Sequence, residues 1–394
     1  MVLRVKKNSN GVTVAILLLT VLIGLHYRLI FAQNITFSNL HNGTEFGHDE
    51  FYYIKMARNI VDNGVYGYMT DSVSNAYVTP GYPLFITAFF RSSADNAVER
   101  VRIVQAFLSA ISIILVFFIG KKISGNKVGL IAAIFVSIYP PLAFYSRFIL
   151  TETLYIFLFL VYFLVLLITF EKDKFIYHCL SGACFAAAIL VRPLVVLLLP
   201  LPYVYKFISQ RGNVKRNLTG FAAYLIGFIL IMLPWWIRNF LSLNEFVFLC
   251  TQTNPFYYGI VENYTQLAQP DNELADGVAL IIQNFFAQPV QTMKWFTIGK
   301  LNIIFGTQDY WVQNGHMYLK SVSLLHYFIL AFGTAGVVLA VFDKKIRLIS
   351  LFIIFTIALQ LLFIPVPRYA IPLMPMLSIS GAYMLAKTIK KTSN

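Results

Sequence analysis

The 394-residue chain is short of charge: Asp, Glu, Lys and Arg make up 12% of it, while 58% is hydrophobic. That excludes a single water-soluble core, because so much apolar surface exceeds what one core hides, and it makes the bilayer the solvent for most of the chain. Cysteine is scarce as well. Cys179, Cys184 and Cys250 have no metal-ligand spacing and form no disulfide framework; Cys179 and Cys184 can be neighbours on one helix, and all three read as packing residues. Acids are outnumbered, 17 against 31 Lys and Arg, for a net charge of +14. No basic domain or nucleic-acid motif accompanies that excess, so nucleic acid is not an expected partner. Internal repeats and low-complexity tracts are absent, which weakens an inverted-repeat transporter.

What is present is a series of long apolar runs. Residues 12 to 32 follow Arg4, Lys6 and Lys7 and lack an A-x-A cleavage site, which favours an uncleaved first helix over a signal peptide. Further candidate spans are 101–120, 128–146, 152–170, 176–190, 193–208, 218–236, 321–342, 348–365 and 371–387. The expected fold class is therefore an all-α polytopic membrane protein, one integral membrane domain over 1–394 with about ten spans and both termini in the cytoplasm. The break "VRP" at 191–193 leaves two short halves, and the pair is read as a hairpin because a single crossing would place the basic segment 209–217 on the wrong side. With this topology the cytoplasmic segments hold 18 Lys and Arg against three acids, and the rest of the chain holds 13 against 14. The excess positive charge is a topology signal. Two long outer segments, about 33–99 and 237–320, are where irregular polar chain can build a site.

The first outer segment contains "FGHDEFYYIKMARNIVDNG". Tyr53, Ala57, Ile60 and Val61 fall at helical spacing, and Asp62–Gly64 supply a stop, so a short helix along the membrane surface is expected. Asp49 and Glu50 would lie at its start, where carboxylates cap free N–H groups and meet the positive end of the helix dipole. The other reading is that one carboxylate faces a cleft at the membrane interface and takes a proton from an acceptor as a general base. The two readings are compatible.

"GHDEFYYIKMARNI" followed by "TPGYPLF" at 79–85 resembles the first outer loop of the polyprenyl-phosphate-sugar-dependent glycosyltransferases of GT-C fold, the group of bacterial protein-mannosyltransferase-like and aminoarabinose-transferase-like enzymes. The resemblance runs in order along the chain through "SRFILTETLYIFL" (146–158), "LVRP" (190–193), "PWWIRNFLSLNEFVFLCTQTNPFYYGI" (234–260), "NFFAQPVQTMKWFTIGKLNIIFG" (284–306) and "VPRYAIPLMPML" (366–377). It implies a catalytic carboxylate at Asp49 with Glu50 beside it, and Glu152 shaping the active site. It further implies a surface helix in each outer segment, a Pro-rich lead from 79–85 into the second span, a polyprenyl-phosphate-linked sugar as donor, and a glycan, lipid or protein acceptor on the outer face of the cell membrane. The chain lacks the large outer domain that many relatives carry after the last helix.

Arg147, Arg192, Arg238 and Arg368 fall at outer ends of spans, with Lys300 in the second outer segment. Each alone reads as a cation snorkelling to lipid phosphates. Converging on one cavity they would instead stabilise charge growing on a departing phosphate, a task that suits the planar guanidinium fork. Arg238 and Arg368 occupy motif positions and are the first candidates, followed by Arg147, Lys300 and Tyr369. The implied chemistry is an in-line displacement that inverts the anomeric carbon. His41, His48 and His316 match no metal motif, and no cofactor or divalent metal is indicated. Asn34, Asn42 and Asn263 begin N-x-T sequons. A transporter or flippase of a lipid-linked saccharide is the alternative; it would place charge near mid-span, where this sequence has almost none.

Overall fold

A computed structural model of the chain describes residues 2–33, 45–92, 96–209, 213–262, 267, 270–306 and 320–392. His41 and His316, the side chain of His48, and the sequon asparagines Asn34, Asn42 and Asn263 lie outside the described residues.

In chain order the α-helices are α1 Val2–Gln33, α2 Glu45–Asn63, α3 Gly81–Ser92, α4 Ala97–Ser124, α5 Asn126–Ile138, α6 Pro140–Tyr145, α7 Thr151–Lys172, α8 Phe175–Ile189, α9 Leu201–Ser209, α10 Val214–Leu243, α11 Asn254–Tyr257, α12 Glu273–Ala287, α13 Pro289–Lys294, α14 Lys320–Leu339, α15 Lys344–Gln360 and α16 Met374–Thr392. Two 3-10 segments, Pro193–Leu198 and Pro367–Leu373, begin with prolines. Proline is tolerated there because the first N–H groups of a helix have no partner anyway. Among the described residues there is no strand. The fold is that of a polytopic membrane protein: an apolar chain can satisfy its backbone inside lipid by coiling each segment on itself.

All ten apolar stretches fall on helices, but not all are long enough to cross a bilayer. Among the described residues five helices pass by length and composition, at Gly11–Gln33, Ala97–Ser124, Thr151–Lys172, Val214–Leu243 and Pro367–Ile389. Ser323–Leu339 and Lys344–Gln360 form a pair bent by 119° that counts as a sixth if taken as one broken span. The stretches 128–146, 176–190 and 193–208 become helices shorter than 18 residues, stopped by Pro140, by the 190–192 break and by a 3-10 turn. At 1.5 Å per residue they fall short of a ~30 Å hydrocarbon layer. The Pro-rich stretch 79–85 likewise does not lead straight into the second span, since the separate helix α3 intervenes.

Arg28 sits inside the first span and is fully buried. Its Nε donates to Ser109 Oγ at 2.7 Å, Nη1 to Gly24 O at 2.9 Å and to Ser137 O at 3.3 Å, and Nη2 to Val136 O at 3.1 Å. The reason lies in the sequence of α5: the residues four places after Val136 and Ser137 are Pro140 and Pro141, which have no N–H to give. The guanidinium supplies the missing donors. We expect Arg28→Leu to lower stability by about 2 kcal/mol, since two carbonyls are left bare in an apolar interior. Thermal unfolding in detergent checks this, and a melting temperature equal to the wild type would refute it.

The bundle has two chemically distinct ends. At one, Lys122 pairs with Glu171 at 2.5 Å, and Asp173, ending α7 in the left-handed region, collects His178, Lys206 and Arg216. At the other, Gly81 N–H donates to Leu190 O at 2.7 Å, tying the chain before α3 to the end of α8, and Thr251 N–H donates to Ala76 O at 2.9 Å, tying the chain after α10 to the chain before α3. Gly81 is required at that contact, because a Cβ there would lie 2.7 Å from Leu190 O.

Candidate active site

The site is built at the second end, where five separate stretches meet. The surface helix α2 begins at Glu45, so Asp49 and Glu50 are its fifth and sixth residues. They lie beyond its first turn, and the end-capping reading of the pair is thereby corrected. Adjacent residues on a helix point in different directions, and the two carboxylates part company here.

Asp49 Oδ2 accepts from Arg368 Nη2 at 2.6 Å. Arg368 lies in the 3-10 turn Pro367–Leu373, which leads from α15 into α16. Its Nε stands 3.9 Å from Glu152 Oε1, and that same oxygen forms an ion pair with Arg192 Nη1 at 2.9 Å that lacks hydrogen-bond geometry. Glu152 is in the first turn of α7, and Arg192 is in the break after α8. The result is a row of alternating charge, Asp49, Arg368, Glu152, Arg192. Its inner member Glu152 is 3% exposed, while Asp49 at 29% and Arg368 at 19% face an opening. The Tyr369 ring lies under both guanidiniums, 5.2 Å from Arg192 and 5.8 Å from Arg368. Such stacking fixes the planar forks without consuming their donors. Tyr53, one helical turn after Asp49, joins the cluster; burial, with the carboxylates of Asp49 and Glu152 nearby, pushes its phenol up, so it stands as a neutral hydroxyl. Tyr68 and Tyr77 stack at 5.5 Å beside Tyr52 and Tyr53, with Tyr68 buried in the ring cluster and Tyr77 half-buried.

Glu50 points elsewhere. It is 1% exposed, and its Oε1 accepts the Ile149 N–H at 2.5 Å. Burial pushes this carboxyl up to about 7, against the pull of that amide and of the Arg102 and Arg147 charges. Its place is that of a strut between α2 and the turn 146–150, which Gln105 holds from the other side through Ser146 O at 3.1 Å and Phe148 O at 2.6 Å. We expect Glu50→Gln, which keeps the acceptor, to fold and retain activity, whereas Glu50→Ala loses about 1–2 kcal/mol by orphaning the Ile149 amide. A pH signature accompanies this. The folded wild type holds the Glu50 proton to about 7, above the ordinary 4.5, so it binds more protons than the unfolded chain in that interval and its stability falls as pH rises through it. That slope should flatten in Glu50→Gln, as melting temperatures across the interval would show.

Three of the candidate phosphate-binding cations are committed to other partners. Arg147 lies over the Phe144 and Phe148 rings at 4.4 and 4.8 Å, on the Glu50 side. Lys300 is fully buried and donates to Leu361 O at 2.6 Å and Phe363 O at 3.1 Å; burial pushes its ammonium down to about 7. It ties the chain around residue 300 to the stretch 361–366 that leads to Arg368. Arg238 donates to the carbonyls of Asn75 at 2.9 Å and Tyr66 at 3.0 Å and stacks on Tyr66 and Trp235. It also lines a cavity of about 410 Å³ walled by Tyr66, Pro80, Leu84, Leu190 and Trp235. The sequence motifs thus named Asp49, Glu152, Arg368 and Tyr369, which the fold brings together. Arg192 was visible only as a span-end cation, and Tyr53 only as part of a helical stripe. Among the described residues no three His, Cys, Asp or Glu side chains are placed to hold a metal ion.

Comparison with known proteins agrees with this architecture. Residues 78–237 match the sequence model of the family described as dolichyl-phosphate-mannose-protein mannosyltransferase, a stretch that contains Glu152 and Arg192 and excludes Asp49 and Arg368. The archaeal oligosaccharyltransferase AglB from Archaeoglobus fulgidus, solved with an inhibitory peptide and a dolichol-phosphate, superposes with a TM-score of 0.60 at 14% identity over 97% of this chain and 51% of its own. ArnT from Cupriavidus metallidurans, solved bound to undecaprenyl phosphate, gives a TM-score of 0.56 at 12% identity over 96% of this chain and 60% of its own. The chain therefore spans about half the length of the first of these and three fifths of the second. No curated protein matches it in sequence. The chain has the GT-C fold of membrane glycosyltransferases, with the dolichyl-phosphate-mannose-protein mannosyltransferase family match running through its centre.

Proposed function

We propose that the chain transfers a sugar from a polyprenyl-phosphate donor to an acceptor at the outer face of the cell membrane, with inversion at the anomeric carbon. The observation that carries this reading is the Asp49–Arg368 pair at 2.6 Å, a carboxylate and a guanidinium set side by side at an opening on one end of a membrane bundle. The likeness to proteins solved with dolichol-phosphate and undecaprenyl phosphate supports the donor class.

The chemistry divides between the two groups. Asp49 accepts the proton of an acceptor hydroxyl or amine, whose lone pair forms the new bond to C1 as the C1–O bond to phosphate breaks. The electron pair leaves with the phosphate, and the added charge is met by Arg368, with Arg192 behind it. Because the nucleophile is held on the face opposite the phosphate, the configuration inverts. Tyr77, half-buried and backed by the buried Tyr68 ring, is an aromatic surface for the sugar. The cavity beside Arg238, apolar with one guanidinium at its rim, suits a prenyl chain approaching from the lipid. Charge supports this sidedness: the end opposite the site gathers Lys121, Lys122, Lys172, Lys174, Lys206 and Arg216, a pattern typical of a cytoplasmic face.

Mass spectrometry of lipids extracted from cells with and without the protein tests the reading. Loss of the protein is expected to leave polyprenyl-phosphate sugars accumulated and one glycosylated product missing. An identical lipid-linked pool and product set in both strains would sink it.

A further inference from the structure

Arg368 has two carboxylates within reach and uses one. Its Nη2 is spent on Asp49, while among the described residues its Nε, 3.9 Å from Glu152 Oε1, has no hydrogen-bond partner; Glu152 Oε2 and Arg192 Nη1, buried in the same cluster, have none either. Buried polar groups are nearly always paired, so unpartnered donors and an unpartnered carboxylate oxygen within one cluster call for an explanation. A turn of the guanidinium toward Glu152 would give Arg368 Nε a carboxylate partner and would at the same moment release Asp49.

This bears directly on the reaction, on whose assignment the inference rests. A carboxylate gripped by a cation is a weakened base, because accepting a proton would discard a charge-assisted bond. In the resting arrangement the group proposed as the base is therefore masked by the group proposed to hold the phosphate. We infer that Arg368 is a swivel: the donor phosphate draws its guanidinium off Asp49 and toward the Glu152 side, and only then is Asp49 free to take the acceptor proton. Glu152 is the positioning residue that receives Arg368, and Arg192, bound to Glu152 at 2.9 Å, holds that carboxylate in place. Tyr369 beneath both guanidiniums provides a flat face on which the turn occurs without loss of stacking. The row of two acids and two cations is balanced before the donor arrives and carries the phosphate charge afterwards, which favours an order of donor first and acceptor second.

A swivel has a consequence that a fixed clamp lacks: Asp49 competes with the phosphate for Arg368. Removing the competitor should strengthen phosphate binding. We would titrate farnesyl phosphate, with farnesol as the uncharged control, into the purified full chain in detergent micelles. Asp49→Asn should bind farnesyl phosphate about five- to tenfold more tightly than the wild type, and Glu152→Gln several-fold more weakly, with farnesol unaffected by either. Unchanged or weaker binding by Asp49→Asn, with the wild type still preferring the phosphate, overturns the swivel and leaves the transferase reading standing. A wild type that does not distinguish farnesyl phosphate from farnesol overturns the transferase reading itself.

A second measurement needs no variant. A water-soluble carbodiimide should label Asp49 of the wild type more heavily with farnesyl phosphate present than without, as peptide mass spectrometry would show. Ordinary occupation of a site protects its residues, so labelling that falls or stays level on adding the phosphate refutes the exchange.

Discussion

Replacing Asp49 by Asn is expected to lower sugar transfer on the order of 10³-fold while leaving the amount of protein in the membrane and its melting temperature unchanged. The magnitude is that of a lost general base. Asn has the same shape, and its amide oxygen still accepts from Arg368 Nη2, so the link between α2 and the Pro367–Leu373 turn persists. Only the capacity to take a proton is gone. The neighbouring variant makes the contrast sharp, because Glu50→Gln removes a carboxylate one residue away and should retain activity, the Glu50 oxygen being engaged with the Ile149 amide. Transfer from a polyprenyl-phosphate donor in proteoliposomes would measure both. Wild-type turnover by Asp49→Asn, or a collapse of Glu50→Gln to the same level, would show that the acid has been assigned to the wrong member of the pair.

How far the sequence could be read depended on whether a feature is local. Hydropathy located every apolar stretch, because burial in lipid imposes composition residue by residue. Length was less legible: Pro140 and Pro141 and the break at 190–192 shorten the helices of three stretches, and the chain tolerates the break after α5 only because Arg28 arrives from α1 to feed two carbonyls. That compensation is more than 100 residues away in sequence and has no local mark. The acids of the site were legible through short motifs, yet the motifs could not say which way each side chain turns. Glu50 differs from Asp49 by one step on a helix and so by about 100° in direction, enough to send it into the packing against the 146–150 turn. Among the cations, span ends attract Arg and Lys for several reasons, and only tertiary distances separate Arg368 and Arg192 from Lys300, which spends its ammonium on the Leu361 and Phe363 carbonyls.

Substituting leucine for Gly182 or Gly227 is expected to disable the protein as thoroughly as changing Asp49, though neither glycine lies in the row of charged residues. The two sit where α8 and α10 press backbone against backbone. A Cβ at Gly182 would fall 1.8 Å from Tyr224 O, and one at Gly227 would fall 1.8 Å from Cys179 O. No rotamer change relieves such contacts, since the obstacle is a carbonyl of the facing helix. In a membrane this matters doubly: helices there associate through close approach at small residues, without a hydrophobic effect to hold a looser pair together. The axes must separate, at a cost on the order of 3 kcal/mol or more. The effect reaches the site because α8 runs directly into the break that carries Arg192, and α10 carries Arg238 near its end, so spreading the pair moves Arg192 away from Glu152 and the 66–75 segment away from its anchor. Gly11→Ala provides the matched control, since nothing lies within 4 Å of a Cβ at Gly11. Transfer activity and thermal unfolding in detergent should both fall for Gly182→Leu and Gly227→Leu and stay at wild-type values for Gly11→Ala. Full activity and an unshifted melting temperature in Gly227→Leu would mean that α8 and α10 do not meet at these residues, and with that contact would go the route by which Arg192 is held against Glu152.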